Sequence, residues 1–190
     1  MPASIAVRIR LCKRGATERV ILIATMLRLV GSKIALAAAL AAGAYGQTAK
    51  TPAEEIAGVF AYVNHNVLEM AKDFPADKYD FRLRPEMRSF GAVIVHIASG
   101  NVFAAKFGRG EKVKWDELDP ANYKTKEQVV ALLEKSIADA TATLKSLSPD
   151  SFHKTVEPWL LVTEHSGEHY GLLVAYYRAN GLVPPASRKK

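Results

Sequence analysis

The 190-residue chain has a single cysteine, Cys12, and it lies in the N-terminal segment. The rest of the chain therefore forms no disulfide and has no thiolate of its own for nucleophilic or ligand chemistry. A Gly-rich phosphate loop and a Ser-centred nucleophile elbow are both missing, so the patterns of P-loop enzymes and serine hydrolases do not apply. No segment alternates like a strand, and no internal repeat is present. Acidic residues are nearly absent from residues 1–46, where Glu18 stands alone against seven Lys/Arg, giving that stretch a charge of +6. The remainder carries only +1. The overall +7 thus belongs to the N-terminal segment, and the near-neutral body lacks the clustered basic face that nucleic-acid binding requires. No nucleic-acid partner is expected.

Residues 1–46 read as a signal peptide. An apolar run at residues 34–43 (IALAAALAAG) follows Lys33, and it is too short to span a bilayer. Ala44 and Gly46 then place small residues at the two positions a signal peptidase reads, with Gln47 next. Met26 opens an ordinary basic n-region, so residues 1–25 read as an over-extended start. The other reading is a membrane anchor lengthened by residues 20–30, a stretch that Arg28 and Lys33 interrupt. Cleavage leaves no stable membrane span and an exported protein, periplasmic or secreted, with residues 47–190 as its folded domain.

From Thr51 the pattern becomes helical. Thr51, Pro52 and Glu54 supply an N-cap, a first-turn proline and a capping-box acid. Ile56, Val59, Phe60, Val63, Val67, Met70 and Phe74 follow at spacings of three and four, until Pro75 ends the helix. A second helix is expected from about Arg88 to Phe107. Residues 89–105 contain no acid, Lys or Arg, which predicts burial on most sides; the segment reads as too polar and too short for a membrane span. Thr125 caps a third helix with Val129, Leu132, Leu133, Ile137, Ala140, Leu144 and Leu147 on its apolar face. Ser148-Pro149-Asp150 breaks it. A connector with Phe152, His153 and Val156 is expected to precede a fourth helix, starting at Glu157-Pro158 and ending near Asn180 with Gly181 at C′. Four helices of about 20 residues imply an all-α four-helix bundle.

His165 and His169 stand four apart, which puts both imidazoles on one helix face. That face continues through Leu161, Val162, Leu172, Leu173 and Tyr176, so the pair points inward. His96 sits among Ala92, Val93, Ser99, Gly100 and Phe103 on the uncharged second helix and points inward too. A lone inward His such as His96 is more often a hydrogen-bonded core residue than a ligand, and His pairs at the spacing of His165 and His169 also occur by chance on solvated helices. Burying three unpartnered imidazoles would cost on the order of several kcal/mol, and a shared cation removes that cost because neutral imidazole is a metal ligand. His65 falls off the apolar stripe and His153 sits in the connector; both read as surface residues. Trp115, Trp159, Tyr176 and Tyr177 read as packing residues. Tyr170 reads as packing or as a wall of the metal pocket.

Residues 84–98 (RPEMRSFGAVIVHIA) and 165–185 (HSGEHYGLLVAYYRANGLVPP) resemble the second- and fourth-helix motifs of the DinB/YfiT-like family of four-helix-bundle metalloproteins. The resemblance extends over about residues 50–186. It implies an up-down-down-up bundle, one metal ligand on the second helix at His96 and two on the fourth at His165 and His169, zinc or nickel as the ion, and a homodimer. Family members carry a Gln or similar polar residue where this chain has Leu172, which bears on the surroundings of the metal. Known activities in the family include thiol-dependent transfer.

His165-Ser-Gly-Glu-His169 also fits the H-x-x-E-H pattern of inverted zinc proteases, but that site needs an acidic ligand downstream and no acid follows His169. Glu168 and Glu164 instead read as residues orienting a ligand or as solvated neighbours, and Glu168 is the one candidate for a catalytic group. Three His ligands leave a coordination position open, as in catalytic zinc. The expected function is a metal-dependent hydrolase or thiol-dependent transferase acting on a small molecule. The alternative is a non-catalytic, stress-associated protein in which the metal is structural.

Overall fold

A computed structural model describes residues 50–189. The signal peptide expected over residues 1–46 lies outside them. Four α-helices carry the fold: α1 (Pro52–Asp73), α2 (Phe90–Gly108), α3 (Lys126–Ser146) and α4 (Pro149–Ala179). Their starts follow local chemistry. Thr51 and Glu54 form a capping box on α1, and Thr125 and Gln128 form another on α3. Ser89 caps α2 by accepting from the Ala92 N–H. At the end of α4, Gly181 takes φ +69, Leu182 N–H donates to the Tyr177 carbonyl and Gly181 N–H to that of Arg178, a Schellman closure.

The fourth helix differs from expectation. It starts at Pro149, capped by Ser148, and no separate connector exists; Phe152 is already a buried helical residue. Ser148-Pro149-Asp150 both stops α3 and starts α4, because Ser as N-cap, Pro at the first position and an acid in the first turn are start signals. Glu157-Pro158, read as the start, lies inside the helix, where Pro158 has no N–H to donate.

α1 packs on α3 and α4, and α2 packs on the same two helices, while α1 and α2 barely touch. Two buried clusters fix the directions. One joins Phe74 near the end of α1, Phe90 at the start of α2, Val129 near the start of α3 and Tyr176 and Tyr177 near the end of α4. The other joins Phe60 of α1, Ala104 and Ala105 of α2, Leu144 of α3 and Trp159 of α4. The helices therefore run up, down, down, up. Trp159, Tyr176 and Tyr177 are core residues, as expected. The stripe of α1 shifts from its sequence reading: Val59 is 53% exposed, while Asn64 is fully buried. Leu161 on α4 is likewise exposed rather than inward.

Between the clusters lies a buried polar layer. Asn101 Nδ2 donates to Asn64 Oδ1 (3.1 Å) and to Ser136 Oγ (3.3 Å), linking α2 to α1 and α3. Asn64 Nδ2 in turn donates to the Phe60 carbonyl at 3.0 Å.

α2 corrects one argument from composition. It is long and apolar enough to cross a membrane, but two thirds of its most apolar window (67%) is buried within the bundle. Burial within the bundle, chiefly against α3 and α4, and not polarity or length, accounts for its character.

Candidate metal centre

His96 enters the site from α2, and His165 and His169 enter one turn apart from α4. The three expected ligands are brought together: each offers a ring nitrogen, and these atoms lie within 4.8 Å of one another. Nε2 of His165 stands 2.9 Å from Nε2 of His96. His169 Nδ1 donates to the His165 carbonyl at 3.0 Å, which fixes that ring and leaves its Nε2 lone pair free. Gly100 leaves the space that the Trp115 ring fills: a Cβ there would lie 2.7 Å from that ring, and 3.3 Å from His165 Nδ1.

Burial favours the neutral form of His96 and His165. It pushes the His165 pKa down to about 4, with the neighbouring His169 and His96 acting in the same direction. Burial and then the Arg88 charge lower His96, against an opposing pull from Glu117. A neutral imidazole is the form that binds a metal. Two Nε2 atoms face to face with a third imidazole beside them make a donor set that fits a divalent cation.

The link between α2 and α3 closes over the cluster. Trp115 stands edge-on to His165 with ring centroids 5.0 Å apart, and 6.2 Å from His96. Leu118 N–H donates to Ser99 Oγ at 3.0 Å and pins the link to α2. Glu117 Oε1 lies 3.0 Å from His96 Nδ1, off the straight line of the ring N–H, and Arg88 donates to both oxygens of the same carboxylate at 2.9 and 3.1 Å. Burial pushes the Glu117 carboxyl up, but the Arg88 hydrogen bond and the neighbouring imidazole hold it below the usual range.

Glu117 was not among the carboxylates singled out in the sequence. Glu164 and Glu168 are exposed, and among the described residues the carboxylate in contact with the cluster comes from the link instead. Trp115, read as a packing residue, packs specifically on the imidazoles. His65 and His153 are exposed, and Tyr170 packs against the core cluster near the end of α4. A cleft of about 830 Å³ lies elsewhere, between the starts of α2 and α3, and none of the three histidines lines it.

Residues 59–176, which include all three histidines, match the DinB superfamily. The chain belongs to the DinB superfamily. No curated protein matches it in sequence. Within this superfamily chain, the bundle and a three-His cluster able to coordinate a divalent metal are both present.

Proposed function

We propose that this DinB-superfamily chain is an exported metal protein in which His96, His165 and His169 hold zinc or nickel, and that it works as a metal-dependent hydrolase or thiol-dependent transferase. The observation that carries the reading is the convergence of three half-buried imidazoles from two helices. Imidazole suits both ions. Among the described residues, the cluster contains no fourth His, Cys, Asp or Glu, so a coordination position remains for a small-molecule substrate. A divalent ion there supplies Lewis acidity, which acidifies a water or thiol and polarises a carbonyl. The chain's own part is to hold His96 and His165 neutral by burial, to orient His169 through the His165 carbonyl, and to shield one side with Trp115.

Export rests on the leader at residues 1–46, and mass spectrometry of the secreted or periplasmic protein is expected to find a new N-terminus near Gln47. Self-association is in keeping with the exposed apolar residues Val59 and Tyr62 on α1 and Leu160 and Leu161 on α4. Light scattering on the purified protein tests it, and a monomer at micromolar concentration refutes it.

A structural metal is the second reading, favoured by the enclosure of the site: the His96 side chain is only 11% exposed. Screening metal-stripped and Zn²⁺- or Ni²⁺-loaded protein against ester, amide and thiol-transfer substrates separates the two. Turnover that appears with the ion and vanishes in His169→Ala supports the enzyme. An ion that raises the melting temperature without any turnover supports the structural role.

A further inference from the structure

The link between α2 and α3 has no helical periodicity, yet it meets α2 at three successive points. Trp115 sits in the space left by Gly100, Glu117 reaches His96, and the Leu118 N–H is held by Ser99 Oγ, which itself donates to the Val95 carbonyl at 2.9 Å. These contacts set the link in one register along α2. Glu117 is therefore delivered to the Nδ1 side of His96, the side facing away from His165 Nε2. Arg88, immediately before the Ser89 cap of α2, engages both oxygens of the carboxylate.

We propose that Glu117, held by Arg88, is the positioning residue of the His96 ligand: it keeps the ring proton on Nδ1 and so presents the Nε2 lone pair to the cation. This rests on reading the cluster as a metal site. Glu117 acts through His96 and is not itself a ligand or an acid–base group of the reaction. A carboxylate behind a ligating imidazole fixes its tautomer and rotation and raises its basicity. His169 meets the same need through the backbone carbonyl of His165, so two of the three rings are oriented from behind. Nδ1 of His96 is buried and makes no aligned hydrogen bond among the described residues; the Glu117 carboxylate, 3.0 Å away, is the charged group set to select its tautomer by a small rotation of either side chain.

The test is Zn²⁺ affinity of the full chain, measured by competition with a chromophoric chelator, together with the ring-nitrogen ¹⁵N shifts of His96 in metal-free protein. Glu117→Ala is expected to weaken Zn²⁺ binding about 10- to 100-fold and to remove the Nδ1-protonated His96 signal. Glu117→Gln is expected to lose less, since its amide oxygen still accepts from Nδ1–H. Unchanged affinity, or an unchanged His96 tautomer in Glu117→Ala, overturns the proposal. Equal losses in Ala and Gln variants with the tautomer intact also overturn it, because they assign Glu117 to folding of the link alone. If His96→Ala binds Zn²⁺ as tightly as wild type, the three-His reading fails and this proposal fails with it. Wild-type binding that depends on His96 but not on Glu117 sinks this proposal alone.

Discussion

His96 and His165 lie 69 residues apart in the chain, yet their Nε2 atoms stand 2.9 Å from each other. Two helices running in opposite directions meet at this pair, with Trp115 seated against Gly100 and packed on the imidazoles. A neutral pair can share one proton across that gap; two imidazolium ions cannot occupy it. A cation between the lone pairs satisfies both rings together with His169.

Metal binding to the folded state alone stabilises it by RT ln(1 + [L]/Kd), about 2.7 kcal/mol at a hundredfold excess over Kd. A chelator is therefore expected to lower the melting temperature of the wild-type protein. His165→Ala and His169→Ala remove most of that response, and His65→Ala, at an exposed position, leaves it intact. Differential scanning fluorimetry with and without chelator reads the difference.

The Asn64–Asn101–Ser136 layer predicts a cost independent of metal. Asn101→Ala leaves Asn64 Oδ1 buried without its donor and opens space in the core, which is expected to cost about 1–3 kcal/mol. Urea unfolding of metal-free protein measures it. A loss near zero means the layer does not contribute as its geometry implies.

Pro158 lies inside α4 and cannot donate to the carbonyl one turn back. Pro158→Ala restores that donor and is expected to stabilise the protein, by up to about 3 kcal/mol. A fall in the thermal midpoint would mean instead that the proline's local geometry is needed for packing beside Trp159.

Asp73 ties the C-terminal tail to the bundle. Arg188 engages both its oxygens, and the Tyr177 hydroxyl donates to Oδ2 at 3.1 Å. The Arg188 hydrogen bond holds the Asp73 carboxyl below its ordinary 3.8, despite an opposing effect of burial. Its folded pKa being the lower one, the folded state binds fewer protons than the unfolded chain in this window. The stabilisation is fully present above the unfolded value and is lost as pH falls through the folded one. The group is 34% exposed, so the effect is no more than about 1 kcal/mol. Asp73→Asn is expected to lower stability slightly at neutral pH, with the gap to wild type closing as pH falls below the ordinary carboxyl value and through the lower folded one. A gap that persists in acid assigns the loss to packing.

Most of the frame was legible because it is written in local chemistry. Thr51, Thr125 and Gly181 mark helix ends through side-chain and φ preferences that act within one turn, and the i, i+4 spacing of His165 and His169 fixes their common face. The start of α4 was misread because two Pro-containing start signals occur within one helix and only tertiary packing of Phe152 and Val156 decides between them. Asn64 was hidden because burial of an amide depends on a partner, Asn101, on another helix. Glu117 was hidden for the same reason in sharper form: its link has no period, and its meaning depends on folding back onto His96. The two acids adjacent to the helical motif, Glu164 and Glu168, drew the assignment because sequence shows neighbours along the chain and not across it.

The most direct measurement is the metal content of the purified chain by inductively coupled plasma mass spectrometry, after dialysis against Zn²⁺ or Ni²⁺ and removal of loosely bound ion. The account predicts about one divalent ion per chain in wild type and in His65→Ala, and a near-complete loss in His96→Ala, His165→Ala and His169→Ala. An ion retained equally in all five proteins, or absent from all five, contradicts the three-His site.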